Sequence, residues 1–132
     1  MNYSETLIDH FRNPRNAGMM RDPDGVGEDT FDGCGDLARF YLRVVDGRVD
    51  DVRFQTYGCG PTIAASSAGS ELAAGRAVSD LLSLSEQDVI AAVGGLPDER
   101  LHAAQIVAGA IRAAARDFLS RRSAPSGMKQ HV

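Results

Sequence analysis

Both cysteines of the chain sit in tripeptides of one form, Gly33-Cys34-Gly35 and Gly58-Cys59-Gly60. Glycine on each side removes the flanking β-carbons. The sulfur is then open to a bulky inorganic group, and backbone N–H groups can turn toward it. Asp36 stands two residues after Cys34. In extended chain, such residues project to the same face, so a thiolate and a carboxylate can aim at one centre. Cys59 precedes a helix opening at Pro61 or Thr62, and the positive end of that helix favours the thiolate form. Of the three histidines, His10 lies near a first helix and His131 near the end of the chain, while His102 follows Leu96-Pro97 at the start of a long helix. His102 would close a tetrahedral set of two thiolates, one carboxylate and one imidazole. Such a set suits Zn²⁺, with bonds of ~2.3 Å to sulfur and ~2.0 Å to nitrogen. It equally suits a labile iron or iron–sulfur centre. The same residues admit plainer roles. Free cysteines are often buried apolar groups, or the two could pair as a disulfide, against which a cytosolic setting argues. Asp36 alone is an ordinary turn acid, and His102 alone a surface or capping residue.

The elements must bring these groups together. Ala38, Phe40, Leu42 and Val44 alternate with Arg39, Tyr41, Arg43 and Val45, which is the period of a strand. Asp46-Gly47 then signals a type I′ hairpin turn, and Val52, Phe54 and Thr56 continue the alternation on the return strand. The doublet Asp50-Asp51 hints at a bulge or a polar edge. A hairpin places the start of its first strand beside the end of its second. Cys34 and Cys59, 25 positions apart, are therefore expected to be close in space.

Around this hairpin, Ser4 caps a short helix with Leu7, Ile8 and Phe11 as its apolar side, ended by Asn13-Pro14. Pro14 to Asp32 reads as loop with a short edge strand around Val26–Phe31. After Tyr57 comes a helix with Pro61 in its first turn and a stripe of Ile63, Ala64, Ala68, Leu72 and Ala73, stopped at Gly75. Ser79 to Leu82 forms a helical turn. Ser85 with Asp88 resembles a capping box that opens a segment ending at Gly94-Gly95. The longest helix is expected from about Asp98 to Arg121, burying Leu101, Ala104, Val107, Ala108, Ile111, Ala115, Phe118 and Leu119. The arginines 112, 116, 121 and 122 read as its solvated face and end. The fold class is α+β, a small antiparallel sheet of about three strands packed against helices. One domain is expected over residues 1–122, with a polar, disordered tail over 123–132.

With 132 residues, the chain is sized for one domain. A hydrophobic share of 43% and a charged share of 24% permit an ordinary core. The net charge of −4 and pI near 5.2 argue against binding nucleic acid or an anionic membrane surface. No run approaches the apolar length of a membrane span, and Met1 to His10 carries Glu5 and Asp9 rather than a basic, then apolar, signal segment. A cytoplasmic location is the expectation. Neither a dinucleotide-type glycine motif nor a P-loop is present. The pair Ser66-Ser67 has no base placed beside it by sequence, so nucleophilic hydrolysis has no support.

Three spaced motifs carry a resemblance that runs from about Tyr3 to Phe118. They are Tyr3-Ser4-Glu5 with Ile8-Asp9-His10-Phe11 and Asn13-Pro14-Arg15-Asn16; Gly33-Cys34-Gly35-Asp36; and Phe54-Gln55-Thr56-Tyr57-Gly58-Cys59-Gly60 followed by Ile63-Ala64-Ala65-Ser66-Ser67. In this order they resemble the IscU/NifU-type iron–sulfur cluster assembly scaffolds. The resemblance implies a SufE/NifU-like α+β domain, non-catalytic, that holds a nascent [2Fe–2S] cluster, or Zn²⁺ or Fe²⁺, at an accessible end. It implies Cys34, Asp36, Cys59 and His102 as ligands, with Asp36 keeping the cluster labile. It further implies a cysteine desulfurase as sulfur donor and apo iron–sulfur proteins as acceptors, the protein being a monomer or weak homo-oligomer. Two positions depart from the family. Its third cysteine falls at Ala103, which can neither ligate nor accept sulfur. Its chaperone-recognition stretch, of Leu-Pro-Pro-Val-Lys type, retains only Leu96-Pro97 over residues 96–100, which counts against docking of an Hsp70-type chaperone. The alternatives are a zinc-bound sulfur acceptor for a cysteine desulfurase and a divergent metal-binding module that has left assembly behind.

Overall fold

The structure, a computed structural model, describes residues 3–33 and 35–123. Cys34 and residues 124–132 of the expected tail lie outside the described residues. Ser4 opens α1 (Glu5–Arg12), its hydroxyl accepting from the Leu7 N–H at 2.9 Å and so supplying one partner that a first helical turn lacks. Three strands follow: β1 (Gly25–Phe31), β2 (Asp36–Val45) and β3 (Arg48–Tyr57). They form one antiparallel sheet in the order β1-β2-β3. Asp46 and Gly47, at φ 53° and 76°, make the β2–β3 turn, both in the left-handed region that a type I′ turn demands. The register then slips. Arg43 faces Asp51 but Val44 faces Val49, so Asp50 is the extra residue of a bulge. At the far end Phe31 faces Asp36 and Leu37 faces Tyr57. The start of β2 and the end of β3 therefore share one end of the sheet, as the hairpin signal predicted.

Helices cover the inner face, where Ala38, Phe40, Leu42, Val52 and Phe54 are buried. α2 (Gly60–Ala73) packs against β3 and α1, and α5 (His102–Ser123) against β1 and β2. Between them, α3 (Val78–Leu81) and α4 (Glu86–Ala92) close the side. Ser85 and Asp88 cap α4 reciprocally, and the hydrogen bonds from Ser85 hold the Asp88 carboxyl below its usual range. α2 is buried on nearly every side, which small residues allow. A β-carbon on Gly69 would meet Val107 Cγ1 at 2.6 Å, so α2 and α5 touch through a residue that has none. The buried hydroxyls of α2 are all partnered. Ser66 meets Thr56 at 2.7 Å, Ser67 accepts from the Arg15 N–H at 2.9 Å, and Ser70 accepts from Asn16 Nδ2 at 2.9 Å. These bonds pin the segment after α1 onto α2. That segment also lies along β3, where Gly18 N–H donates to Phe54 O and Phe54 N–H donates to Asn16 O. On the opposite edge, Val26 N–H donates to Asp117 Oδ2 of α5 at 2.9 Å. Among the described residues no helix is long and apolar enough to cross a membrane.

Three sequence expectations are corrected. The last helix does not start at Asp98. Asp98–Arg100 is a 3₁₀ turn, and α5 begins at His102. The change of winding breaks the helical phase, so Leu101 is exposed (42%) rather than buried. On α1, Ile8 and Phe11 are exposed as well, and the inward side is Leu7 with His10. His10 is only 5% exposed, its Nδ1 2.7 Å from Ser67 Oγ and its Nε2 3.5 Å from Glu71 Oε1.

Two predictions follow from this packing. Gly27 of β1 lies so close to α5 that an added β-carbon would meet Ala114 N at 2.1 Å and Ala110 O at 2.4 Å, both backbone atoms. Gly27→Ala is expected to cost about 3 kcal/mol in urea unfolding; a loss below about 0.5 kcal/mol would show that β1 and α5 separate freely. The second concerns His10. Burial pushes its imidazole below the usual histidine value, with the Arg15 charge acting in the same direction and Glu71 and Asp9 opposing. Below pH ~6.5 the unfolded chain takes up a proton that the folded chain resists, so this residue lowers stability as the pH falls. His10→Gln should lose less stability than the parent between about pH 7.5 and 5.5; equal losses would remove His10 from the acid response.

Candidate metal centre

At the end of the sheet where β2 starts and β3 stops, three elements each deliver one side chain. β2 begins with Asp36. β3 ends at Tyr57, and after one glycine Cys59 occupies the N-cap position of α2. α5 begins with His102. One ligand atom from each of Asp36, Cys59 and His102 lies within 4.8 Å of the others. Asp36 Oδ2 is 2.9 Å from His102 Nε2 and 3.9 Å from Cys59 Sγ. Donors bonded tetrahedrally to one ion at ~2.0–2.3 Å stand roughly 3.3–3.8 Å apart, close to these separations. One sulfur, one nitrogen and one carboxylate form a donor set of borderline softness that fits Zn²⁺ or iron. For Nε2 to ligate it must carry no proton, so on occupation its contact with Asp36 Oδ2 gives way to the bond to the ion.

The site is held by its surroundings. Asp36 is 5% exposed, and Thr62 Oγ1 donates to its Oδ2 at 2.9 Å. Thr62 Oγ1 also lies 3.3 Å from Cys59 Sγ. Phe31, the last residue of β1, stacks on the His102 ring with centroids 4.6 Å apart and planes 25° apart, which fixes the imidazole. Gly58 backs the carboxylate, since a β-carbon there would meet Asp36 Cγ and Oδ1 at 2.8 Å. Cys59 is the open side. It borders a groove of about 470 Å³ with Phe11, Arg12 and Arg100. Its side chain makes no cap bond to α2, while its carbonyl accepts from the Thr62 and Ile63 N–H groups. The sulfur is thus left to other partners.

Of the residues singled out by sequence, Asp36, Cys59 and His102 come together, and Cys34 lies outside the described residues. His10 is elsewhere, in the α1–α2 packing. Ala103, beside His102, is fully buried in the core. Thr62 and Phe31 were not anticipated as parts of the site, and Gly58, expected to clear space around the sulfur, also makes room for the Asp36 carboxylate. One signal was present: Thr62 follows Cys59 by three, the helical spacing that puts two side chains on one face.

Known proteins are similar to this chain over most of its length. The family model described as "NifU-like N terminal domain" matches residues 2–125. The chain is 39% identical over 128 residues to "Iron-sulfur cluster assembly scaffold protein IscU 1" of Archaeoglobus fulgidus, covering 97% of this chain and 84% of that protein. It is 37% identical over 128 residues to the IscU scaffold protein of Escherichia coli strain K12, covering 94% and 99%. Among solved structures, a NifU-like protein (N-terminal) from Brucella abortus shares the fold with a TM-score of 0.70 at 18% identity, over 89% of this chain and 94% of that one.

The fit of Gly58 against the carboxylate makes a test of the site. Gly58→Ala should displace Asp36 and lower Zn²⁺ affinity ~10–100-fold in competition with a chromophoric chelator. Unchanged affinity would mean that Asp36 in this position is not a ligand.

Proposed function

The chain belongs to the NifU-like N-terminal domain family, and from that premise we propose that it is a scaffold or carrier for iron–sulfur cluster assembly. Its cargo is a transient [2Fe–2S] cluster, received in parts and passed on to apo-proteins, with Zn²⁺ or Fe²⁺ held when no cluster is present. Cys34, Asp36, Cys59 and His102 are the proposed ligands. The observation that supports this most is the convergence of Asp36, Cys59 and His102 from three elements onto one point in a chain of this family. Asp36 offers a hard oxygen where thiolates would bind iron more tightly, which suits a cargo that must leave. Phe31 and Gly58 keep the imidazole and the carboxylate in place, while Cys59 faces the groove through which sulfur and acceptor proteins would come. A cysteine desulfurase is the proposed sulfur donor. With alanine at 103, sulfur would enter through Cys59 or Cys34. That alanine favours the rival in which the protein keeps the metal alone, and counts against the one in which it serves only as a zinc-bound sulfur acceptor.

Anaerobic reconstitution with ferrous iron, cysteine, a desulfurase and a thiol reductant, which takes the released sulfur to sulfide, tests the proposal. A cluster chromophore that moves to apo-ferredoxin is the expected result, and Cys59→Ser should abolish it. Retained zinc with faster desulfurase turnover and no chromophore would replace the scaffold with a zinc-bound acceptor. Metal bound with neither outcome would leave a binding module.

A further inference from the structure

We propose that Thr62 is a positioning residue of this centre, its hydroxyl holding the Asp36 carboxylate in ligating orientation beside the Cys59 sulfur. The inference rests on the scaffold proposal and its ligand set. Thr62 is fully buried in the first turn of α2. A threonine in a helix commonly returns its hydroxyl to a carbonyl three or four residues back. Here Oγ1 instead lies 2.9 Å from Asp36 Oδ2 and 3.3 Å from Cys59 Sγ. A hydroxyl has one proton and two lone pairs, and an ionised carboxylate can only accept. The proton therefore goes to Oδ2, and the oxygen is left facing the sulfur.

The need for such a group comes from the carboxylate itself. The terminal torsion of aspartate is broad, so the side chain does not choose its own plane. Gly58 limits the carboxylate on one side only, by lying close to it. In the structure His102 Nε2 at 2.9 Å and the Cys59 sulfur at 3.9 Å are the other partners of Oδ2. If His102 turns that nitrogen to an ion, its bond to Asp36 is lost. With Cys59 bound to the ion as thiolate and so no longer a donor, Thr62 is the side-chain donor left to fix Asp36 among the described residues. Being on the same helix as Cys59, three residues on, it ties the orientation of the carboxylate to the position of the thiolate.

The test is Zn²⁺ affinity of the full chain by chelator competition, together with the absorption of the Co²⁺-substituted protein, whose ligand-field and sulfur charge-transfer bands report the ligand set. Thr62→Val keeps the volume and removes the hydroxyl. It should weaken Zn²⁺ binding ~10–100-fold and alter the Co²⁺ bands. Thr62→Ser, which restores the hydroxyl without the methyl, should recover both. Thr62→Ala should behave as the valine variant does, which separates loss of the hydroxyl from a packing fault of valine. Affinity within about threefold of the parent in Thr62→Val and Thr62→Ala, or a serine variant as weak as they are, would overturn the proposal. Asp36→Ala and Cys59→Ser run alongside. If these keep the metal, the ligand set is wrong. If they lose it while Thr62→Val keeps it, only the role of Thr62 fails.

Discussion

A carboxylate nearly removed from water governs this end of the molecule. Asp36 is 5% exposed, and a buried ionised group persists only where donors surround it. Its partners come from two different helices and the residue capping one of them: the hydroxyl of Thr62 on α2, the imidazole of His102 on α5, and the Cys59 sulfur at 3.9 Å. The polar requirement of one side chain on β2 therefore fixes where both helices must begin. The stack of Phe31 on His102 draws the end of β1 into the same arrangement. β1, β2 and the two largest helices thus meet around a single acidic group.

The rest of the fold supplies the close approach that this requires. α2 can sit in the middle of the molecule because its surface is made of alanine, serine and glycine, and its buried hydroxyls find partners in the strand and in the segment after α1. α5 presses on β1 where Gly25 and Gly27 leave no side chain in the way. A larger residue at any of these contacts would push a helix outward and move its first turn with it. For Thr62 or His102 a shift of one ångström is the difference between a hydrogen bond and none.

Much of this was legible because the relevant signals are local. Asp46-Gly47 encodes its turn through backbone conformation alone, and the bulge at Asp50 falls at the acidic doublet that hinted at it. The closeness of the β2 start to Cys59 follows from hairpin topology, and Asp36 bears it out. Contacts that depend on helix phase were harder. Leu101 fits the apolar stripe of α5 on paper, yet the 3₁₀ turn before His102 rotates it into solvent. Leu7, Ile8 and Phe11 read as the apolar side of α1, but the face that meets α2 is the one carrying Leu7 and His10 rather than Ile8 and Phe11. Thr62 was hidden for another reason. A threonine in a first turn is ordinary, and only the three-dimensional position of Asp36, 26 residues earlier, gives its hydroxyl a purpose.

A three-stranded sheet has two outer strands, and each could in principle recruit a further chain. Here both are obstructed at particular backbone groups. Residues 16–18 take up Phe54 of β3, and the carboxylate of Asp117 takes the Val26 N–H of β1. An incoming strand would find its register interrupted on either side, and on the β1 side it would also meet the Asp117–Arg121 ion pair. The flanks of the sheet are thereby guarded against edge-to-edge aggregation.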